Sequence, residues 1–272
     1  MYICIQKTKK NLMLTHSSRY SKIRTIYYYR KKVYFVIDIL DAHTHTIASG
    51  HAYSTLQEMI TSAQNKNLKL LGITEHTPNM PGSCSEIYFY NFKVIPRKQN
   101  NLLIRLGAEI NIMDFEGNMD LSEKAFNKID YGIASLHDLC IEPGSQEQNT
   151  NAILMAMKHP KVKIIGHPDN GFYPINYEKI VQAAKEYHVL LELNNSSIHP
   201  ETGRLNSREN MQTMLKYCLH YQTNLIIDSD AHIANDVGNH QYVHEILTAM
   251  NFPSTLIVNT SVDKFKEYID KC

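Results

Sequence analysis

From Tyr34 onward, short runs rich in Val, Ile and Leu alternate with amphipathic stretches of about 10–18 residues. The apolar runs are VIDILDAH (36–43), LKLLGITEH (68–76), LLIRLGAEI (102–110), IDYGIASLH (129–137), KVKIIGH (161–167), VLLELNN (189–195) and NLIIDSD (224–230). Each is of strand length and bounded by polar residues, so the spacing predicts seven strands. Helical periodicity follows most of them, over 53–66, 149–158, 176–187, 207–221, 240–250 and 263–270, with Ser54 or Thr55 as the first N-cap. The stretch 77–100 is punctuated by Pro and Gly and reads as a loop with a short helix. Strand and helix in alternation predict βα units around a parallel sheet. No linker or low-complexity boundary divides residues 38–272, so one domain is expected there.

The strand ends carry the chemistry. In order they supply His43 and His45, His76, Glu109, His137, His167, the amides Asn194 and Asn195, and finally Asp230 and His232. In α/β barrels and open parallel sheets the carboxyl ends of the strands form one rim, where active sites sit. Residues spread over most of the chain are therefore expected at a single mouth. His43 and His45, like Asp230 and His232, are spaced i, i+2, which on an extended segment places both side chains on one face. Imidazoles favour zinc, iron, nickel or copper, and the carboxylates also suit manganese. Glu109, on the central rim, is the candidate bridge between cations.

Composition sharpens this. There are 14 His in 272 residues. The five Cys are scattered and never spaced C-x-x-C, which predicts free thiols in a reducing, cytoplasmic setting. No apolar run approaches the roughly 18 residues of a membrane-spanning helix. The net charge of +1 is uneven. Residues 1–37 hold nine Lys and Arg and no acid; the remaining 19 basic residues face 27 acidic ones over 38–272, about −8. The extension 1–37 is expected to be a poorly ordered tail or the product of an upstream in-frame start. No G-x-G-x-x-G, P-loop or G-x-S-x-G is present, which disfavours nucleotide redox, P-loop and serine-hydrolase chemistry.

The motifs DAHTHT, GHAYSTL, GITEHTP, GAEIN, SLHD, IIGHPDN, LELNNSS and DSDAH, with NFP at 251–253, resemble the PHP (polymerase and histidinol phosphatase) superfamily. GHAYSTL favours its YcdX-type phosphatases. The resemblance covers everything except residues 1–37. It implies a distorted, TIM-like (β/α)7 barrel with a trinuclear metal site at the C-terminal rim of the strands. It implies a first ion held by His43, His45, Glu109 and Asp230, a second by Glu109, His137 and His167, and a third by His51, His76 and His232. Glu75 departs from the family, where Asp more often precedes the His of the second strand. If it orients His76, its extra methylene would loosen the third site.

The implied activity is a metal-dependent phosphoesterase hydrolysing phosphomonoesters through a metal-activated water, with Glu109 and Asp230 central to catalysis. Three divalent ions are expected, zinc foremost, with manganese or iron as alternatives. Asp138 and His199 are candidate proton donors; Ser196, Arg204, Arg208 and Arg97 are candidate substrate contacts. The expected partner is a small phosphorylated substrate, not a membrane; the acidic body disfavours nucleic acid, and a homo-oligomer stays open. Alternatives are a histidinol-phosphate phosphatase, a 3′–5′ nuclease and a catalytically idle metal-binding module. The other seven histidines, His240 and His244 among them, read as surface residues.

Overall fold

The computed structural model describes residues 38–270; the basic extension, Cys4 and Cys272 lie outside them. The strands are β1 (Leu40–Asp41), β2 (Leu70–His76), β3 (Lys98–Gln99), β4 (Leu102–Asn111), β5 (Gly132–Ser135), β6 (Val162–Ile165), β7 (Leu190–Asn194) and β8 (Leu225–Asp228). The helices are α1 (Leu56–Asn65), α2 (Ile87–Tyr90), α3 (Glu123–Phe126), α4 (Gln146–Ala156), α5 (Tyr177–Glu186), α6 (Ser207–Tyr221), α7 (Gln241–Met250) and α8 (Val262–Ile269). Seven strands run parallel in the order β1-β2-β4-β5-β6-β7-β8, and β3 adds a short antiparallel pairing to β4. The sequence pattern missed β3 and α3, both too short to show a period. It also read 36–43 as a strand where the β1 ladder covers only two residues.

Helix starts follow local chemistry. Thr55 and Glu58 form a capping box at α1, and Ser145 and Gln148 form one at α4. Asn176 and Ser261 cap α5 and α8. Because helices cover the outside of the sheet, β2, β5, β6, β7 and β8 are buried at every position.

The strands curl into a nearly closed barrel. Between β8 and β1 the main-chain ladder is reduced to one bridge, Thr44 with Ala231. Side chains complete this seam. Ala42 N–H donates to Asp228 Oδ1 (2.6 Å), and Asn259 Nδ2 donates to the carbonyls of Leu40 (3.1 Å) and Ile227 (2.6 Å).

Inside, the period-two alternation of strands builds layers. The lowest is apolar: Leu40, Leu70, Ile133, Ile164, Leu190 and Ile226 pack with Tyr131 and with Phe265 of α8. Two residues further along, the layer turns small or polar: Ala42, Gly72, Ser135, Gly166, Glu192 and Asp228. Gly72 is required there, since a Cβ would lie 2.1 Å from Tyr131 Oη. The next step reaches the mouth.

Candidate metal centre

Strand phase delivers most of the predicted residues. Along β4, Glu109 lies two residues beyond Gly107 and is paired in register with His76 of β2. His137 and Asp230 continue the inward phases of Ile133 and Ser135, and of Ile226 and Asp228. Two strands break phase. On β6 the inward residues are Ile164 and Gly166, so His167 would face out; its left-handed backbone (φ 29°) turns it in. On β1 the regular ladder stops at Asp41, which faces Ser229 and Gly238, and the irregular backbone beyond turns His43 and His45 inward. Asp230 is also left-handed (φ 54°), so the Asp230–His232 pair does not lie on the extended segment expected for it.

All nine predicted metal-type residues converge. Glu109 is the hub. Its Oε1 lies 2.9 Å from His167 Nε2 and 3.1 Å from His137 Nε2. Its Oε2 lies 2.8 Å from His76 Nδ1, 3.3 Å from His43 Nε2 and 3.4 Å from His45 Nε2. Asp230 Oδ1 sits 3.4 Å from His45 Nε2 and 3.6 Å from His43 Nε2. At the outer lip, His51 Nε2 faces His232 Nε2 at 3.0 Å. His43, His45 and Glu109 are buried, His232 is partly open and His51 is exposed.

The outward nitrogens are anchored, which fixes how the rings aim. His43 Nδ1 meets Glu192 Oε1 at 2.6 Å, and His137 Nδ1 meets Asn111 Oδ1 at 2.6 Å. His45 Nδ1 meets Ser49 Oγ at 3.0 Å, and His232 Nδ1 meets the Asp230 carbonyl at 3.0 Å. Ser49 donates its own hydrogen to Glu75, so it accepts from His45. In all four residues the outer partner takes the Nδ1 proton, so that the neutral ring presents its Nε2 lone pair inward, the arrangement typical of metal-binding histidines.

Glu192 and Asn111 were missed by sequence reasoning because an acid or amide inside an apolar run looks like any other buried polar residue. Asn194 was legible: its Nδ2 donates to Glu192 and to Asp230. Glu75 does not orient His76. It accepts from Thr46 and Ser49 and so supports His45.

The electrostatics show charge being balanced. Burial opposes ionisation of Glu109, but His76, His43 and His137 outweigh it and hold the carboxyl well below its usual range. Burial likewise opposes a charged His45, yet Asp230 and Glu109 push its pKa up to about 9. Burial and the nearby His45 push His232 down to about 4. Protons alone satisfy this site poorly. His76 Nδ1 and Glu109 Oε2 are buried and close, yet neither has a hydrogen-bond partner of good geometry among the described residues. The inward nitrogens of His43 and His45 stand 3.0 Å apart. Lone pairs facing one another in a mostly buried site fit divalent cations; His45–His76–His232, His43–His45–Glu109 and His76–Glu109–His137 are each close enough to hold one.

The other expected site residues divide. Asp138 lines the cavity of about 350 Å³ over the centre, together with Arg204. Both residues also border an adjoining cavity of about 690 Å³, which Ser196, Phe172 and Glu201 line as well. Arg204 is committed to the protein: Nη2 donates to Asp230 Oδ2 (3.0 Å) and Nη1 to Asn194 Oδ1 (2.9 Å) and Ser197 Oγ (2.8 Å). Three of the expected residues line neither cavity. Arg97 lies beside the start of β4, where Ile104 N–H bonds its carbonyl, and pairs with Asp130 (3.4 Å), far from the rim. Arg208 is exposed in the first turn of α6 and lines neither cavity. His199 is exposed, packs edge-on against Tyr242, and its Nδ1 accepts from the Glu201 N–H. A larger groove of about 1040 Å³ between Ile47 and Ile95 is apolar and contains none of the nine residues.

A PHP domain model matches residues 41–199. The chain belongs to the PHP domain family. It is 45% identical over 230 residues to a probable phosphatase of Caldicellulosiruptor saccharolyticus, covering 85% of this chain and 95% of that protein. It is 46% identical over 231 residues to a probable phosphatase of Clostridium novyi, covering 85% and 94%. Among solved structures, its fold resembles a histidinol phosphate phosphatase from Lactococcus lactis, crystallised with zinc, L-histidinol and phosphate. The TM-score is 0.51 at 16% identity, covering 79% of this chain and 92% of that one. That likeness bears out the TIM-like PHP barrel. No helix among the described residues is long and apolar enough to cross a membrane.

Proposed function

We propose that the protein is a metal-dependent phosphatase that hydrolyses small phosphomonoesters at a trinuclear rim site, in the cytoplasm. Membership of the PHP family and its close relatives make the chain a hydrolase of phosphate esters. The observation that carries the metal reading is Glu109, one buried carboxylate facing five imidazoles, with an oxygen that lacks a hydrogen-bond partner of good geometry among the described residues.

His43, His45, Glu109 and Asp230 would hold the first ion, Glu109, His137 and His167 the second, and His51, His76 and His232 the third. Ions bound there supply Lewis acidity and a nucleophilic water that loses its proton near neutral pH. The chain's own residues do the rest. Glu109 splits its two oxygens between the His137–His167 side and the His43–His45–His76 side, so it spaces neighbouring positive charges. Arg204 fixes Asp230 and adds a positive charge beside the cavity, which favours a phosphate anion. Asp138, exposed at the cavity wall, would be the proton donor to the departing alkoxide. Ser196, on the wall of the adjoining cavity, would contact the leaving group.

The test uses protein stripped of metal and reloaded with zinc, manganese or iron. Activity on p-nitrophenyl phosphate should vanish on stripping and return on reloading. Histidinol phosphate and single-stranded DNA in the same assay separate the phosphatase, histidinol-phosphate and nuclease readings. Hydrolysis of none of the three would leave only the idle metal-binding module. His167→Ala with unchanged metal content and rate would overturn the site assignment.

A further inference from the structure

A second cluster of metal-type side chains lies outside the barrel mouth. Asp38 precedes β1, His240 stands at the N-terminus of α7, and His244 lies one turn on, its N–H bonded to the His240 carbonyl. The i, i+4 spacing puts both imidazoles on one helix face. Asp38 Oδ2 lies 2.9 Å from His240 Nδ1 and 2.6 Å from His244 Nε2. Neither the rim nor its cavities include these residues. His240, expected at the surface, is in fact buried, and Asp38 and His244 are partly so.

We propose that Asp38, His240 and His244 form a separate structural site for a zinc-like divalent cation, one that staples the start of β1 to α7. Three features support it. The ligand atoms lie close enough together to share one ion, and the donor set of two imidazoles and one carboxylate suits zinc. Two buried atoms of the cluster, Asp38 Oδ1 and His240 Nε2, lack a hydrogen-bond partner among the described residues. His240 Nδ1 and His244 Nε2 both aim at the one oxygen Oδ2, which leaves Oδ1 without a donor. A cation held on Oδ2 and Nδ1 can also draw on Oδ1, and it leaves His240 Nε2 as an N–H donor.

That donor points to a second carboxylate. Asp41 Oδ1 stands 3.9 Å from His240 Nε2, and Asp41 is held rigid by the backbone N–H groups of Ser229 (3.1 Å) and Gly238 (2.7 Å) and by Ser229 Oγ. A carboxylate behind a histidine is the usual outer support of a metal ligand. The location also gives the ion a use. Ahead of β1 the main chain is tied through Ile39, whose N–H donates to the Asn259 carbonyl and whose carbonyl accepts from Lys69, and an ion on Asp38 would add a tie to α7 one residue earlier. This site does not depend on the phosphatase reading.

The test is metal counting. Wild type, His244→Ala and Asp38→Asn are equilibrated against one zinc buffer and their zinc content is measured by mass spectrometry, with phosphatase activity followed in parallel. The expected result is one ion fewer per chain in both variants, with activity retained. Equal zinc content in wild type and variants overturns the proposal, as does a loss of ions that abolishes activity. If the variants fail to fold, wild-type crystals grown with zinc decide it by anomalous scattering. A peak among Asp38, His240 and His244 supports the site; rim peaks without one there overturn it.

Discussion

The centre has a floor and a lip, and they are built differently. On the floor, His43, His45, His167 and Glu109 are buried. His43 is held by Glu192, which also accepts from the backbone N–H of His167 (2.6 Å). At the lip, His51 is exposed, and the Nδ1 of His232 is anchored by a main-chain carbonyl. Burial makes an unbalanced charge costly, so the floor must be occupied by cations or protons at all times. The lip can lose its occupant to water at little cost. The difference predicts graded metal retention, with tightly held floor ions and an exchangeable lip ion.

The largest effect tests the floor's hub. Glu109→Ala should lower the phosphatase rate on the order of a thousandfold or more, since several kcal/mol of charge organisation is lost. Steady-state kinetics at saturating metal would show it, and a rate within tenfold of wild type would remove Glu109 from the centre. Next comes the floor's support. Glu192→Gln turns an N–H group toward either His43 or the His167 amide, and should weaken metal affinity by about 10–100-fold. Metal titration of the stripped protein measures this.

Lip variants should be milder. His232→Ala should weaken one ion by roughly tenfold and regain most of its activity when metal is added in excess. Activity that no metal concentration restores would place His232 on the floor in function.

The smallest effect is a proton count. In the metal-free protein His45 has a pKa of about 9, raised by Asp230 and Glu109 against the pull of burial. It therefore holds a proton at pH 7, and cation binding should release it, as followed with a pH indicator. The release should fade as pH approaches and passes 9. The raised value also means that His45 stabilises the metal-free fold below about pH 6.5, and that this contribution is lost as pH rises through 9. His232, already near 4, should release nothing at pH 7.

Much of this was legible in the chain. The seven apolar runs and their polar ends announced a parallel βα architecture and a single rim, because strand termini in such folds share one side. Seven histidines of the 14 reached that rim, as read from position alone or with the family resemblance. His240 escaped, since a buried histidine at a helix start has the same local pattern as a surface one. Arg97 misled because a loop arginine carries no sign of which end of the barrel its loop occupies.

The sequence by itself determined which residue types sit at strand ends and in what order, since period two and strand length are local properties. It could not determine phase. His167 faces the centre only through a left-handed residue, and His43 and His45 only because the β1 ladder stops at Asp41. Those turns are favoured when the barrel is closed and Glu109, Glu192 and Asp230 stand ready to receive the rings. That convergence is a property of the assembled barrel, because the partners are separated by up to nearly the length of the domain and meet only across its interior.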